Sequence, residues 1–156
     1  MQVFGRRAAH CWLALFIVFL AASSAFAQTR EDGSSLQIIT DSGCYEFTVE
    51  LALTPAQRQV GLMNRQHLDD RAGMLFRFDQ VRPVTMWMRN TLIPLDMIFI
   101  RSDGEIAHIH QNARPLDESV ISSREPVAYV LEVNGGKTAE LGVKPGHRVS
   151  HPLIAQ

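Results

Sequence analysis

Residues 85–100 read TMWMRNTLIPLDMIFI. In the second part of this stretch, Leu95, Met97 and Phe99 fall on one side of an extended chain, and Ile98 and Ile100 on the other. A short run that is apolar on both sides fits a strand covered on both faces. Asp96 lies inside that strand, and a carboxylate there must be paired or hydrogen-bonded. Arg89 and Asn90 stand only a short loop away, across Thr91 to Pro94, and Pro94 holds Ile93 extended so that it feeds the strand. The economical expectation is that Asp96 accepts hydrogen bonds from the 89–91 loop and fixes the turn. The functional alternative has Asp96 and Arg89 lining a pocket beside Trp87.

Working outward, short strand signals recur with turn residues between them. LQII is followed by the turn Asp41-Ser42-Gly43. YEFTVELAL alternates: Tyr45, Phe47, Val49, Leu51 and Leu53 on one face, Glu46, Thr48 and Glu50 on the other. Thr54-Pro55 opens a helix, with Thr54 as cap and Pro55 in the first turn. Val60 and Met63 share a stripe of that helix, and Gly61 marks a close contact or its end. GMLFRF, VTMWM, LDMIFI, GEIAHIH and VAYVLEV read as further strands, with Asp103-Gly104 a hairpin turn between LDMIFI and GEIAHIH. KTAELG is a helical turn ending near Gly142, and HRVSHPLI a closing strand. The fold class is mainly β with one short helix, a compact β-sandwich or a partly open barrel.

The chain has 156 residues and a formal net charge of −1. Arg6 and Arg7 precede an apolar run, Trp12 to Leu20, and Ala25-Phe26-Ala27 is a small-residue cleavage site. This is the layout of a secretory signal peptide cut after Ala27, with a membrane anchor through residues 12–27 as the alternative. The expected location is periplasmic or secreted. Residues 28–35 are a flexible lead-in, and 36–156 form a single domain. All 16 acidic residues and 13 of the 15 basic ones follow Ala27, so the mature charge is −3. With no basic block, nucleic acid is not an expected partner, and a membrane is one only through an uncleaved signal segment. Cys44 alone remains after cleavage, so no internal disulfide forms. Its expected state is a small buried apolar residue, the alternative a thiol that joins two chains.

In this order, GLMNR (61–65), AGMLFRF (72–78), WMRNTLIPLDMIFI (87–100), YVLEV (129–133) and GVKPG (142–146) resemble the DUF192 family, also called UPF0127. The similarity runs across nearly all of Phe47 to Val149. It implies an exported or membrane-associated protein with a compact β-rich fold and no established activity. The family usually has Asp after the final Gly, where this chain has His147.

Three candidate sites follow. Trp87, if exposed, gives an aromatic platform beside Arg89 and Asn90 that suits a sugar ring or a peptide. The expected binding surface is therefore Trp87, Met88, Arg89, Asn90 and Thr91, supported by Asp96 and Glu132. Asp96 and Glu132, both in apolar strands, could serve as acid and base if they face each other in a cleft. His108 and His110 share one face of a strand, and Met63, Met86 and Met88 are soft donors suited to Cu(I), but a third ligand for zinc or copper is not evident. No nucleophile elbow, zinc-protease motif or phosphate loop is present. The chain is expected to be a binding or accessory module for a small molecule, glycan or protein, with no cofactor, no metal and no catalytic residue assigned. The alternatives are a hydrolase using Asp96 and Glu132, and a periplasmic copper or zinc binder.

Overall fold

A computed structural model describes residues 34–154. The signal segment, its cleavage site and residues 28–33 of the lead-in lie outside the described residues. The elements are β1 (Ser35–Thr40), β2 (Gly43–Ala52), α1 (Pro55–Val60), β3 (Ala72–Met86), β4 (Leu95–Ile100), β5 (Ile106–Ala113), β6 (Ile121–Asn134), α2 (Lys137–Glu140) and β7 (Arg148–Ser150). The strands form one curled sheet in the order β5-β4-β6-β3-β2-β1-β7. Its two ends approach one another. Ile106 N donates to His147 O at 2.8 Å, Gly146 N to Ile106 O at 2.9 Å and Val149 N to Gly104 O at 2.8 Å. Of the two architectures expected, the half-barrel is therefore the one adopted.

β4 explains the curl. All six of its residues are buried, because each face of the sheet has its own apolar layer. Ile98 and Ile100 point into the barrel with Leu36, Phe47, Leu75 and Leu131. Met97 and Phe99 point outward, where Leu62, Leu68 and Met88 cover them together with Phe76 and Val130. Burying a side chain of this kind contributes about 1.5–3 kcal/mol, so both layers matter to stability. The outer layer is supplied by the segment after α1 and by the loop that follows β3.

Local signals place these pieces. Thr54 and Gln57 form a reciprocal capping box at α1, with Pro55 in the first turn. Gly61 ends the helix at φ 49°, and a Cβ there would stand 3.2 Å from the Phe76 ring. Both readings of that glycine hold. α1 buries none of its own residues, and Val60 is exposed, so its apolar stripe does not enter the core. β2 and β3 run parallel, with Ala52 opposite Phe76, and α1 with the loop after it makes the crossover that parallel pairing needs.

Three expectations are corrected. GMLFRF and the start of VTMWM form one long strand, β3, irregular in register between Arg77 and Arg82 and again between Pro83 and Thr85. Pro83 has no N–H to give the ladder, and a bulge is where a strand tolerates that. β3 ends at Met86, so Trp87 and Met88 belong to a loop. Cys44 is exposed rather than buried, because Phe47 and Val49 take the inner face of β2 and Cys44 alternates to the outside.

His147 fills an acceptor's place. Its Nδ1 accepts from Lys144 N at 3.1 Å, and its Nε2 lies 3.2 Å from Asp41 Oδ2. The unprotonated nitrogen thus does what a carboxylate oxygen would do for the GVKPG turn.

Candidate functional site

A cleft of about 360 Å³ opens on the outer face of the sheet. α1 and the turn after it form one wall, through Arg58, Gln59, Val60 and Met63. β3 forms the other, through Phe76, Phe78, Arg82 and Met86. Trp87 and Thr91 close one end, and Glu132 of β6 lies at the floor. The volume is near the lower end of the range for small-molecule sites, about 300–1,000 Å³.

Trp87 is 48% exposed, the wet alternative of the two that sequence leaves open. Met88 behind it is fully buried in the outer apolar layer. The loop between them and Thr91 is held by backbone groups on both sides. Asn64 N donates to Asn90 O at 2.8 Å, Met88 N to Asp117 O at 2.9 Å and Leu116 N to Thr91 O at 3.1 Å. Asn64 and Asn90 both adopt left-handed backbone, at φ 61° and 53°, a conformation Asn tolerates better than most residues. That accounts for the Asn in both GLMNR and MRNT. The side chains of Arg89 and Asn90 are exposed and do not line the cleft.

Asp96 does not touch the 89–91 loop, which corrects the expected partner. Its Oδ1 accepts from Asn112 N at 2.8 Å and Gly136 N at 2.9 Å. Its Oδ2 accepts from Thr138 N at 2.8 Å and Thr138 Oγ1 at 2.6 Å. Asp96 therefore locks α2 and the turn before it to β4 and β5. Fully buried and bonded on both oxygens, it is structural, and it does not line the cleft.

Glu132 is the opposite case. Only 4% exposed, its carboxyl has no hydrogen bond or ion pair with any described residue. Among the described residues no side-chain oxygen sealed from solvent lacks a partner, so this carboxyl reaches the open space of the cleft it lines. Its cross-strand neighbours are Met74 on β3 and Met97 on β4, neither of which carries a charge. Burial alone pushes its pKa up from 4.5 to about 8. At neutral pH the floor of the cleft is therefore a neutral carboxylic acid, able to donate a hydrogen bond.

The acid–base pair of the hydrolase alternative is not assembled. Asp96 stands opposite Val133 on β6, and Glu132 opposite Met97 on β4. Side chains alternate along a strand, so the two carboxyls point to opposite faces of the sheet. The histidines do share one face of β5, where His108 stacks on Phe99 at 5.8 Å between ring centroids. Burial lowers the His108 pKa, with Arg124 and His110 adding to the effect. Among the described residues no three His, Cys, Asp or Glu side chains gather to hold a metal. Met63 and Met86 line the cleft while Met88 is in the core. No helix among the described residues is long and apolar enough to cross a membrane.

The α1 wall and Arg82 were not anticipated from sequence. The signal that could have found them is α1 itself, whose sequence has too few apolar residues for a core helix, with Met63 following in the turn after it.

The DUF192 family model, described as an uncharacterized ACR, matches residues 37–151. No curated protein matches the chain. Two solved structures are similar over most of it. A "putative transcription regulator" from Sinorhizobium meliloti 1021 is 54% identical, with 75% of this chain and 92% of that one covered and a TM-score of 0.74. A protein of unknown function from Novosphingobium aromaticivorans DSM 12444 is 43% identical, with 74% and 83% covered and a TM-score of 0.73.

Proposed function

The chain belongs to the DUF192 family, and on that premise we propose that it is a binding module that takes a small ring-bearing molecule in the cleft between α1 and Trp87. The observation that carries this reading is Glu132, a nearly buried carboxyl without a partner that faces open space. With no protein partner to give up, that carboxyl can exchange cleft water for a ligand oxygen. Trp87 at the end of the cleft adds a half-exposed aromatic face. Polar groups converging among aromatic and methionine side chains, as Gln59, Thr91 and Glu132 do here, can fix the orientation of a small molecule. Compared with the surface expected from sequence, the proposal keeps Trp87, Thr91 and Glu132 as ligand contacts and gives Met88, Arg89, Asn90 and Asp96 supporting or peripheral places.

Export belongs to the proposal. The basic start, apolar run and Ala25-Phe26-Ala27 site support a mature protein beginning at Gln28, in the periplasm or outside the cell. The intact mass of the exported protein tests this: loss of residues 1–27 is expected, and their retention in a membrane fraction contradicts it. The description of the Sinorhizobium relative as a regulator is not carried over, since the mature charge of −3 and the lack of a basic block give nucleic acid nothing to hold.

Binding is tested by titrating isotope-labelled protein with monosaccharides and short peptides while following the Trp87 indole N–H, assigned by its loss in Trp87→Phe. The reading expects one class to shift that signal together with the amides of residues 58–63, and Trp87→Ala to abolish the response while leaving the melting temperature nearly unchanged. A ligand that binds wild type, Trp87→Ala and Glu132→Ala alike contradicts it.

A further inference from the structure

The charges around the cleft narrow the ligand, given the binding reading above. Arg58 from α1 is already committed: its Nη1 donates to Leu53 O at 2.7 Å and Arg77 O at 2.8 Å, and its Nη2 to Asp79 at 3.0 Å. Arg82 from β3 is not. Among the described residues it makes one hydrogen bond, to the carbonyl of the adjacent Pro83 at 3.3 Å, and no ion pair. Its guanidinium lies 6.0 Å from the centroid of the Phe78 ring, which holds it at the cleft wall. The other titratable group of the lining is Glu132, faced by Met74 from β3 and Met97 from β4, with His110 of β5 beyond Met97. The cleft thus has an unmatched cation on its wall and a proton donor at its floor.

The rest of the lining argues against a simple alkyl chain. Gln59, Thr85 and Thr91 place polar groups among the aromatic and methionine side chains. Hydroxyls of a ligand would find partners there, and the face of a sugar ring has an aromatic surface in Trp87.

We propose that the cleft takes a uronate, a sugar ring bearing one carboxylate, with the carboxylate on Arg82, the ring against Trp87 and a ring oxygen or hydroxyl accepting a hydrogen bond from the Glu132 carboxyl. A guanidinium–carboxylate contact is the strong, directional kind, and it supplies the preference for the acid over the neutral sugar. Ionised Glu132 would lose its donor and repel the ligand's charge, so affinity falls as the solution becomes alkaline.

The test is calorimetric titration of the purified protein with sodium glucuronate and, separately, with glucose. Glucuronate is expected to bind roughly tenfold or more tightly than glucose, as a charge-assisted pair at a partly screened site allows. Arg82→Gln, a change at an exposed position, should bring the two sugars to equal affinity. Between about pH 6 and about pH 9 the wild type should lose glucuronate affinity, whereas Glu132→Gln, which keeps a donor that cannot ionise, should not. Equal affinity for both sugars overturns the proposal while leaving a binding cleft intact. No effect of Arg82→Gln, affinity that rises with pH, or no binding of glucuronate overturns it as well. Glucose binding that shifts the Trp87 indole separates a failure of the uronate assignment from a failure of the cleft.

Discussion

Asp96 and Glu132 sit on neighbouring strands one register step apart, yet their side chains leave the sheet on opposite faces. Asp96 accepts from three backbone N–H groups and one hydroxyl, while Glu132 has no partner among the described residues. The sheet therefore separates two carboxyls that look alike in sequence. One organises the fold, and the other is free to meet a ligand.

Asp96→Ala should destabilise the protein substantially. It strands donors from Asn112, Gly136 and Thr138, the last of them buried, at about 1–3 kcal/mol for unsatisfied buried groups. Domains of this size have about 5–15 kcal/mol in all. Thermal melting should show a drop of several degrees, together with loss of amide protection around Gly136 and Thr138. A variant that melts like wild type would mean the carboxylate does not lock α2.

Asn90 is needed for its backbone rather than its side chain. At φ 53° an alanine would pay the left-handed penalty, roughly 1–2 kcal/mol, and a glycine would not. Chemical denaturation should therefore find Asn90→Ala less stable than wild type and Asn90→Gly close to it. The reverse order would place the stabilisation in the side-chain amide.

How far the sequence shows this arrangement depends on range. The two-sided burial of LDMIFI, the Thr54 cap and the Asp103-Gly104 hairpin rest on patterns a few residues long, and each is present. The partners of Asp96 are not local: Gly136 and Thr138 lie 40 and 42 residues on, and a nearer loop offered equally plausible donors. The cleft needs the parallel pairing of β2 with β3, which sets α1 against the outer face, and no local pattern specifies a parallel neighbour. The exposure of Cys44 turns on which face of β2 is inside, and the strong alternation from Tyr45 to Leu53 contains that information.

His147→Asp should cost less than His147→Ala, because an Asp oxygen can take over the bond from Lys144 N that His147 Nδ1 now accepts, although it loses the Nε2 contact with Asp41 and brings two carboxylates near each other. His147→Ala should lose both the Lys144 N bond, worth about 0.5–1.5 kcal/mol net, and the contact with exposed Asp41. Denaturant unfolding of the two variants checks this. Equal losses would show that the imidazole ring, not its acceptor, matters at the barrel seam.

Glu132 also makes stability depend on pH. Folding raises its pKa from 4.5 to about 8, so the folded protein keeps a proton that the unfolded chain has released. Its contribution is fully present below the unfolded value and is lost as pH rises through the folded one. Glu132→Gln removes that dependence. The melting temperature of Glu132→Gln relative to wild type should rise steadily from about pH 4 to about pH 8. A constant difference over that range would contradict the shift.

The claim on which the functional account rests is that Glu132 is a buried, unpartnered carboxyl at the floor of the cleft. Titrating its side-chain carboxyl carbon by NMR in the ligand-free protein measures this directly. The account predicts a midpoint near 8. A midpoint at the ordinary 4.5 would place the carboxylate in water or against a positive partner, and the cleft would lose the group that recommends it as a binding site.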